Sequence, residues 1–211
     1  MGLGSGSGKE IGTGTGTKIL AEGINEVIAT TADPATGKPN AAPMGIICRN
    51  NRIMMRLFHG TQTERNIRAS GWVVANLTYD PMVYVQSAFA NLPDDAFTEI
   101  SVEDMDISMP MQRLSTCEAW EAFTTTIISD NPETLVVELT PVASAILDLK
   151  PHPHNRAFAG IIEATVHATR YVVTRDAELW ALIEQSAETI RKCGAKEHIE
   201  ALDLLLTYCH K

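Results

Sequence analysis

One stretch of this chain has the residue types that an anion-binding turn requires: Phe58-His59-Gly60-Thr61-Gln62-Thr63-Glu64-Arg65-Asn66-Ile67. A phosphate needs several donors converging on one point without a large loss of hydration. A strand that ends in a Gly-Thr turn and runs into a helix N-terminus supplies them, as backbone N–H groups and two hydroxyls. Arg56, just upstream on the strand, brings the charge that a dianion calls for. The same residues also read as an ordinary helix start beside an exposed arginine, so the pattern alone leaves both readings open.

Other reactive groups are scattered. Glu163 and His167 are spaced i, i+4 and pair on a helix surface, with Arg170 beyond them. His152 and His154 flank Pro153, which falls short of a zinc site, so no metal is expected. The chain shows no Ser-His-Asp set, phosphate loop or nucleophilic cysteine. Cys48, Cys117, Cys193 and Cys209 have no Cys-x-x-Cys spacing and read as free thiols of a reducing compartment. The Gly-x-Gly look of Met1–Thr17 has no strand before it, so residues 1–18 read as a flexible leader rather than a dinucleotide fingerprint.

The 211 residues are 45% hydrophobic and 20% charged, as in ordinary globular proteins. A formal net charge of −9 argues against nucleic acid or an anionic membrane as the main partner. It also means that a phosphate-bearing ligand must be held by a local site set against an unfavourable overall field. No apolar run approaches the ~20 residues needed to span a bilayer, and nothing resembles a signal peptide. The expected location is the cytoplasm.

The elements that would position the turn follow from periodicity and turn chemistry. Ile24–Thr31 and Ala41–Cys48 read as strands flanking the turn-rich residues 32–39, and Arg52–Phe58 as a third. A short helix is expected over residues 63–71, with Thr63 as N-cap and Gly71 as terminator. Trp72–Thr78 and Met82–Ala88 are rich in β-branched or aromatic residues and read as two strands split by Tyr79-Asp80-Pro81. Residues 91–113 read as a polar surface excursion, in which Met105, Met109 and Met111 either line a pocket or fill an irregular core. Strands are expected again at Ala119–Ile128 and Leu135–Ile146. Three helices follow: one from Asn155 or Arg156 to about Tyr171, one over Asp176–Lys192, and one after Gly194. Helices gathered after a block of strands give an α+β class, divided as 1–18 leader, 19–150 barrel and 151–211 helical part.

Several motifs in consistent order resemble a known family. Thr63-x-x-Asn66-Ile67 followed by Gly71-Trp72-Val73-Val74-Ala75-Asn76 is similar to the phosphate-binding segment of flavin-reductase-like split barrels that bind flavin mononucleotide (FMN). Asn25-Glu26-Val27-Ile28-Ala29-Thr30-Thr31, Asn40-Ala41-Ala42-Pro43-Met44-Gly45, Asn155-Arg156-Ala157 and Glu163-Ala164-x-x-His167-Ala168-Thr169-Arg170 resemble a narrower group. That group is the flavoprotein family called domain of unknown function four-four-seven, found largely in methanogenic and related archaea. The resemblance runs from Ile24 to the C-terminus.

The resemblance implies a six-stranded antiparallel split β-barrel with a C-terminal helical part, forming a homodimer with one FMN per subunit near the interface. It places Thr61, Gln62, Thr63 and Asn66 around the phosphate, assisted by Arg56. Ala41, Ala42, Pro43, Met44 and Gly45 would run along the isoalloxazine edge, where small side chains let the backbone approach a flat ring and Pro43 suits a ligand-facing or edge position. Asn76 and Asp80 would contact the ribityl chain or ring, or simply form a turn. Asn25 and Glu26 would bind flavin or hold the barrel mouth. Arg156 would reach the flavin or make an ion pair, beside Asn155 as a helix cap. The implied activity is an FMN-dependent oxidoreductase moving electrons from a reduced nicotinamide or deazaflavin to an acceptor. A flavin-binding carrier, sensor or structural module is the alternative, as is a barrel turned to haem or deazaflavin. In each case the bound group supplies the reactivity and the protein tunes it.

Overall fold

The structure is a computed structural model that describes residues 19–102, 110–148 and 150–211. The leader, Met105 and Met109 lie outside the described residues. Six strands close into an antiparallel barrel in the order β1-β2-β3-β8-β7-β4, formed by β1 (Gly23–Ala32), β2 (Pro39–Arg49), β3 (Arg52–Phe58), β4 (Trp72–Leu77), β7 (Ala119–Asp130) and β8 (Thr134–Ile146). A separate pair, β5 (Phe97–Ile100) and β6 (Met111–Leu114), makes a two-stranded sheet. The described residues thus form the α+β architecture with the six-stranded barrel that the sequence implies.

Closure depends on register. β3 meets β8 with Met55 opposite Val137 and Leu57 opposite Leu135, and β4 meets β7 with Val73 opposite Phe123. These residues alternate inward with Val27, Ala29 and Ile46, and together they form the buried barrel core. The alternate residues of β3, namely Arg52, Met54, Arg56 and Phe58, therefore point outward. Between β3 and β4 the chain forms α1 (Gln62–Ser70), which Gly71 ends in the left-handed conformation at φ 72°.

Three expectations need correction. Met82–Ala88 is not a strand but most of α2 (Pro81–Phe89). Asp80 accepts from the N–H groups of Met82 and Val83, and Pro81 occupies the first helical position, where a missing N–H costs nothing. The Asp-Pro pair is a helix start rather than a turn between strands, and it outweighs the β-branched content behind it. The α1 cap is Thr61, not Thr63. The polar excursion over residues 91–113 contains a short 3-10 turn at Asp94–Ala96 together with β5 and β6, and Met111 is fully buried on β6.

The described residues fall into two compact units. The first holds residues 19–40, 44–78, 93–102, 110–148 and 150, with the barrel. The second holds residues 41–43, 79–92 and 151–211, in which α2 packs against α3 (Arg156–Thr174) and α5 (Lys196–Cys209), and α4 (Ala177–Cys193) packs against α3 and α5. Asn155 and Asp176 cap α3 and α4 through their side chains. Ile161, Ile183, Ile190, Leu202 and Leu205 are wholly buried in that unit, and Gly160 lets α3 approach α4 so closely that a Cβ would lie 3.0 Å from Ile190 Cγ1. No helix among the described residues is long and apolar enough to cross a membrane.

Candidate functional site

The turn between β3 and α1 is built by capping. Gly60 takes φ 78°, which reverses the chain after Phe58 and His59. The Thr61 hydroxyl then donates to the Phe58 carbonyl at 3.0 Å and accepts from the Glu64 N–H at 3.2 Å, while Arg65 N–H makes the first helical bond to the Thr61 carbonyl. The N–H groups of Gln62 and Thr63 lie in the first turn, where no helical carbonyl exists to receive them. They point out of the positive end of the α1 dipole, the arrangement that suits an anion. The buried Thr63 hydroxyl accepts from Asn40 Nδ2 at 3.2 Å, which leaves its own proton to be donated. The donor set of two backbone amides and one hydroxyl fits a phosphate.

Below these donors is a brace. Asn66 is fully buried; its Nδ2 donates to Thr31 Oγ1 at 3.0 Å and its Oδ1 accepts from Gln62 Nε2 at 2.7 Å. Its amide therefore ties α1 to β1, and these two bonds use one of its two Nδ2 hydrogens. The Thr61 hydroxyl is likewise engaged by the cap, as donor and as acceptor, so of the two threonines Thr63 is the one whose hydroxyl proton is not used by the bonds described above. Arg65 curls back to donate to the Gly60 carbonyl at 2.7 Å and to Gln62 Oε1 at 2.8 Å, which sets a guanidinium over the first turn.

A charged cluster fastens this turn to the connection between β7 and β8. Glu64 is buried and pairs with Arg68 Nε at 2.9 Å, and Arg68 reaches Asp130 at 2.9 Å. His59 stands 3.5 Å from Glu64 through Nδ1 and 3.4 Å from Asp130 through Nε2; the same Nε2 is 2.8 Å from the Asn131 carbonyl oxygen. Burial pushes the Glu64 carboxyl up, but the hydrogen bonds and charges of Arg68 and His59 outweigh it and hold the group below the usual carboxylate range. The hydrogen bond from Arg68 does the same for exposed Asp130. Asn40, Arg65, His59 and Arg68 were not among the site residues expected from sequence. The i, i+3 spacing of Gln62 and Arg65 was a usable signal for Arg65, but nothing local marks Asn40 or His59.

The remaining expected residues divide by unit. In the barrel unit, Asn25 accepts from the Ala21 N–H, donates to the Ala21 carbonyl and lies 3.7 Å from Cys48 Sγ. Glu26 is exposed and stands over Gly45, where an added Cβ would sit 3.3 Å from both Glu26 Oε1 and Ile24 Cγ2. Met44 is half-buried, and Arg56 is exposed on the outward face of β3. Asn76 is an internal brace: fully buried, it donates to the Ile28 carbonyl and Thr30 Oγ1, and its Oδ1 accepts from Leu114 N–H at 2.7 Å. Its amide joins β4 to β1 and β6, which is a structural role rather than a ribityl contact. In the helical unit, Asp80 and Asn155 use their side chains to cap α2 and α3, Ala42 and Pro43 are half-buried, and Arg156 is exposed.

None of the four cysteines is in a disulfide, and burial pushes the Cys117 thiol up to about 11, away from nucleophilic use. Among the described residues, no three His, Cys, Asp or Glu side chains converge as metal ligands.

Two family models match this chain, one described as the N-terminal domain of a protein of unknown function, DUF447, over residues 25–148, and one as DUF447 over residues 155–207. Among solved structures, the chain is similar to the FMN-bound protein MM1853 from Methanosarcina mazei. The two are 32% identical with a TM-score of 0.80, over 89% of this chain and 96% of that one. The uncharacterized protein MJ1453 of Methanocaldococcus jannaschii is 22% identical over 190 residues, 87% of this chain and 96% of that protein. The styrene monooxygenase flavin reductase of Pseudomonas putida S12 is 15% identical at a TM-score of 0.47, over 62% of this chain and 84% of its own.

Proposed function

The chain belongs to the DUF447 family, and from that premise we propose that it is an FMN-binding oxidoreductase of the flavin-reductase-like type. It takes electrons from a reduced nicotinamide or deazaflavin and passes them to an acceptor. The observation that carries the reading is the donor set at the start of α1, in a chain 32% identical to an FMN-bound protein over 89% of its length. Bound FMN supplies the redox chemistry.

The protein's own residues hold and orient it. The Gln62 and Thr63 N–H groups and the Thr63 hydroxyl receive the phosphate, with Arg65 and outward-facing Arg56 adding charge. Thr61 and Asn66 keep those donors aimed. Along β2, Ala42, Pro43, Met44 and Gly45 border the ring system; at Gly45 the space a side chain would occupy is already taken by Glu26 and Ile24. Asn25 and Glu26 are further candidate contacts to the flavin.

The reading includes a homodimer. Exposed Ile24 and Phe58 and half-buried Ile47, Met54 and Val136 lie on strands β1, β2, β3 and β8. Met54, Phe58, Ile47 and Val136 alternate with inward core residues and so share the outer side of the barrel. Apolar surface of this kind is most often covered by closed two-fold pairing.

The test is the visible spectrum of untagged protein as isolated, followed by titration with FMN and mixing with reduced nicotinamide. Expected are a bound-flavin spectrum, quenching of flavin fluorescence and reduction faster than that of free FMN, in a particle of dimer mass by light scattering. A colourless protein that leaves the fluorescence of added FMN unchanged refutes the cofactor. Reduction no faster than that of free FMN refutes the reductase and leaves a flavin-binding module.

A further inference from the structure

His59 is held through both ring nitrogens. Nε2 lies 2.8 Å from the Asn131 carbonyl oxygen, which only accepts, so Nε2 carries a hydrogen in either charge state. The neutral ring is then the Nε2–H tautomer, and Nδ1 turns a lone pair toward Glu64 Oε1 at 3.5 Å. Two acceptors oppose each other there until the ring takes up a second proton, after which the contact becomes an ion pair.

The charge balance of the cluster points the same way. Glu64 and Asp130 share the single guanidinium of Arg68, so with a neutral His59 the group carries a surplus negative charge. That surplus lies beside the first turn of α1, where it offsets the positive end of the helix dipole and repels any anion placed there. An imidazolium at His59 cancels it. The other charged groups near the turn on these elements are Arg65 on α1, which is turned to the Gly60 carbonyl, Arg56 on β3, Arg52 on β3 paired with Glu138 on β8 at 2.7 Å, and Glu133 in the β7–β8 turn, whose backbone carbonyl receives the His59 backbone N–H at 3.4 Å. None of them makes one of the ring contacts described above.

We infer that His59 is a proton-dependent positioning residue of the phosphate site: protonated, it neutralises the cluster and pins the donor-bearing turn to the β7–β8 connection, so that binding a dianionic phosphate takes up a proton at this ring. The inference rests on the FMN reading. Its sign is fixed: a proton taken up together with the ligand makes His59 favour binding at low pH and not at high pH. The phosphate's own second ionisation, with a pKa of about 6, runs in the opposite direction. It is common to all variants, so the informative quantity is the ratio of variant to wild-type affinity at each pH.

The experiment is fluorescence titration of the full chain with FMN, and in parallel with riboflavin, which lacks the phosphate, between about pH 5.5 and about pH 8.5. His59→Gln keeps an N–H for the Asn131 carbonyl but cannot gain a charge. The wild type is expected to bind FMN about twofold to fivefold more tightly than H59Q at the acid end, to match it at the alkaline end, and to show no such difference with riboflavin. Asp130→Asn removes one exposed carboxylate and is expected to tighten FMN binding at the alkaline end by a similar factor. Parallel wild-type and H59Q curves overturn the inference while leaving the cofactor intact, and so does an equal effect on riboflavin, which marks a purely structural residue. If H59Q does not fold, D130N decides alone, and unchanged FMN affinity in that variant overturns the idea. Failure of the wild type to bind FMN at any pH is a separate outcome, which removes the cofactor reading and this inference together.

Discussion

Thr63→Val is the substitution that separates the anion site from the fold. Valine has the shape of threonine without the hydroxyl, so the buried volume on α1 is preserved while two interactions are lost. One is the acceptor for Asn40 Nδ2 at 3.2 Å, which ties β2 to α1; a neutral, partly buried hydrogen bond of this kind contributes about 0.5–1.5 kcal/mol. The other is the proposed donor to the phosphate, a hydrogen bond to a charged group, for which about 1.5–3 kcal/mol is typical. The second figure corresponds to roughly a tenfold to hundredfold weaker FMN complex. Fluorescence titration of wild type and T63V with FMN and with riboflavin reads the phosphate contribution directly, and urea unfolding reads the first. The expected result is a large loss for FMN, little change for riboflavin, and a stability loss near the lower figure. Equal losses for both flavins, or none for either, refute the assignment of Thr63 to the phosphate.

Asn76→Ala leaves the Leu114 N–H without its acceptor and the Ile28 carbonyl without its donor inside the barrel. A loss of about 2–4 kcal/mol is expected, and a change below about 1 kcal/mol in denaturant unfolding contradicts the bracing role. Arg68→Gln addresses the acid limb of stability. Glu64 and Asp130 have depressed carboxyl pKa values in the folded state, so their contribution is present above the ordinary carboxylate range of about 4 and lost as pH falls through the folded values. R68Q is therefore expected to flatten the fall in melting temperature below about pH 4; an acid limb as steep as that of the wild type counts against the pairing.

How much of this was legible in the sequence depends on how far apart the interacting residues lie in the chain. All six barrel strands are expected within two residues of their observed ends, the largest offsets being the start of β2 at Pro39 and the end of β7 at Asp130. The three C-terminal helices declare themselves through period and caps. The failure at α2 is chemical rather than statistical: Met82-Val83-Tyr84-Val85 has the composition of a strand, yet the Asp80 carboxylate and the Pro81 ring start a helix. At the anion site, the residue types were readable and their division of labour was not. Thr61 and Thr63 look equivalent in one dimension; only the turn at Gly60 decides that the first caps and the second faces Asn40. Asn66 and Asn76 are polar residues in otherwise patterned segments, and a linear reading cannot tell an amide aimed at a ligand from one buried among backbone groups.

The order of strands explains why the charges around the turn escape a reading of sequence. β3 pairs with β8, so the end of β3 at Phe58 lies opposite Thr134, and the β7–β8 turn is carried to within hydrogen-bonding distance of His59 across about seventy residues of chain. The same closure brings Asp130 to Arg68. An anion site in a chain of net charge −9 does not have to overcome the whole of that charge, because exposed charges more than about 8 Å apart are largely screened at physiological ionic strength. It has to overcome Glu64 and Asp130. Arg68 and His59 are placed against those two carboxylates by barrel topology, and Arg65 returns over the turn from the helix itself. Whether the first turn of α1 can hold a dianion is thus decided within one cluster whose members the fold, rather than the local sequence, assembles.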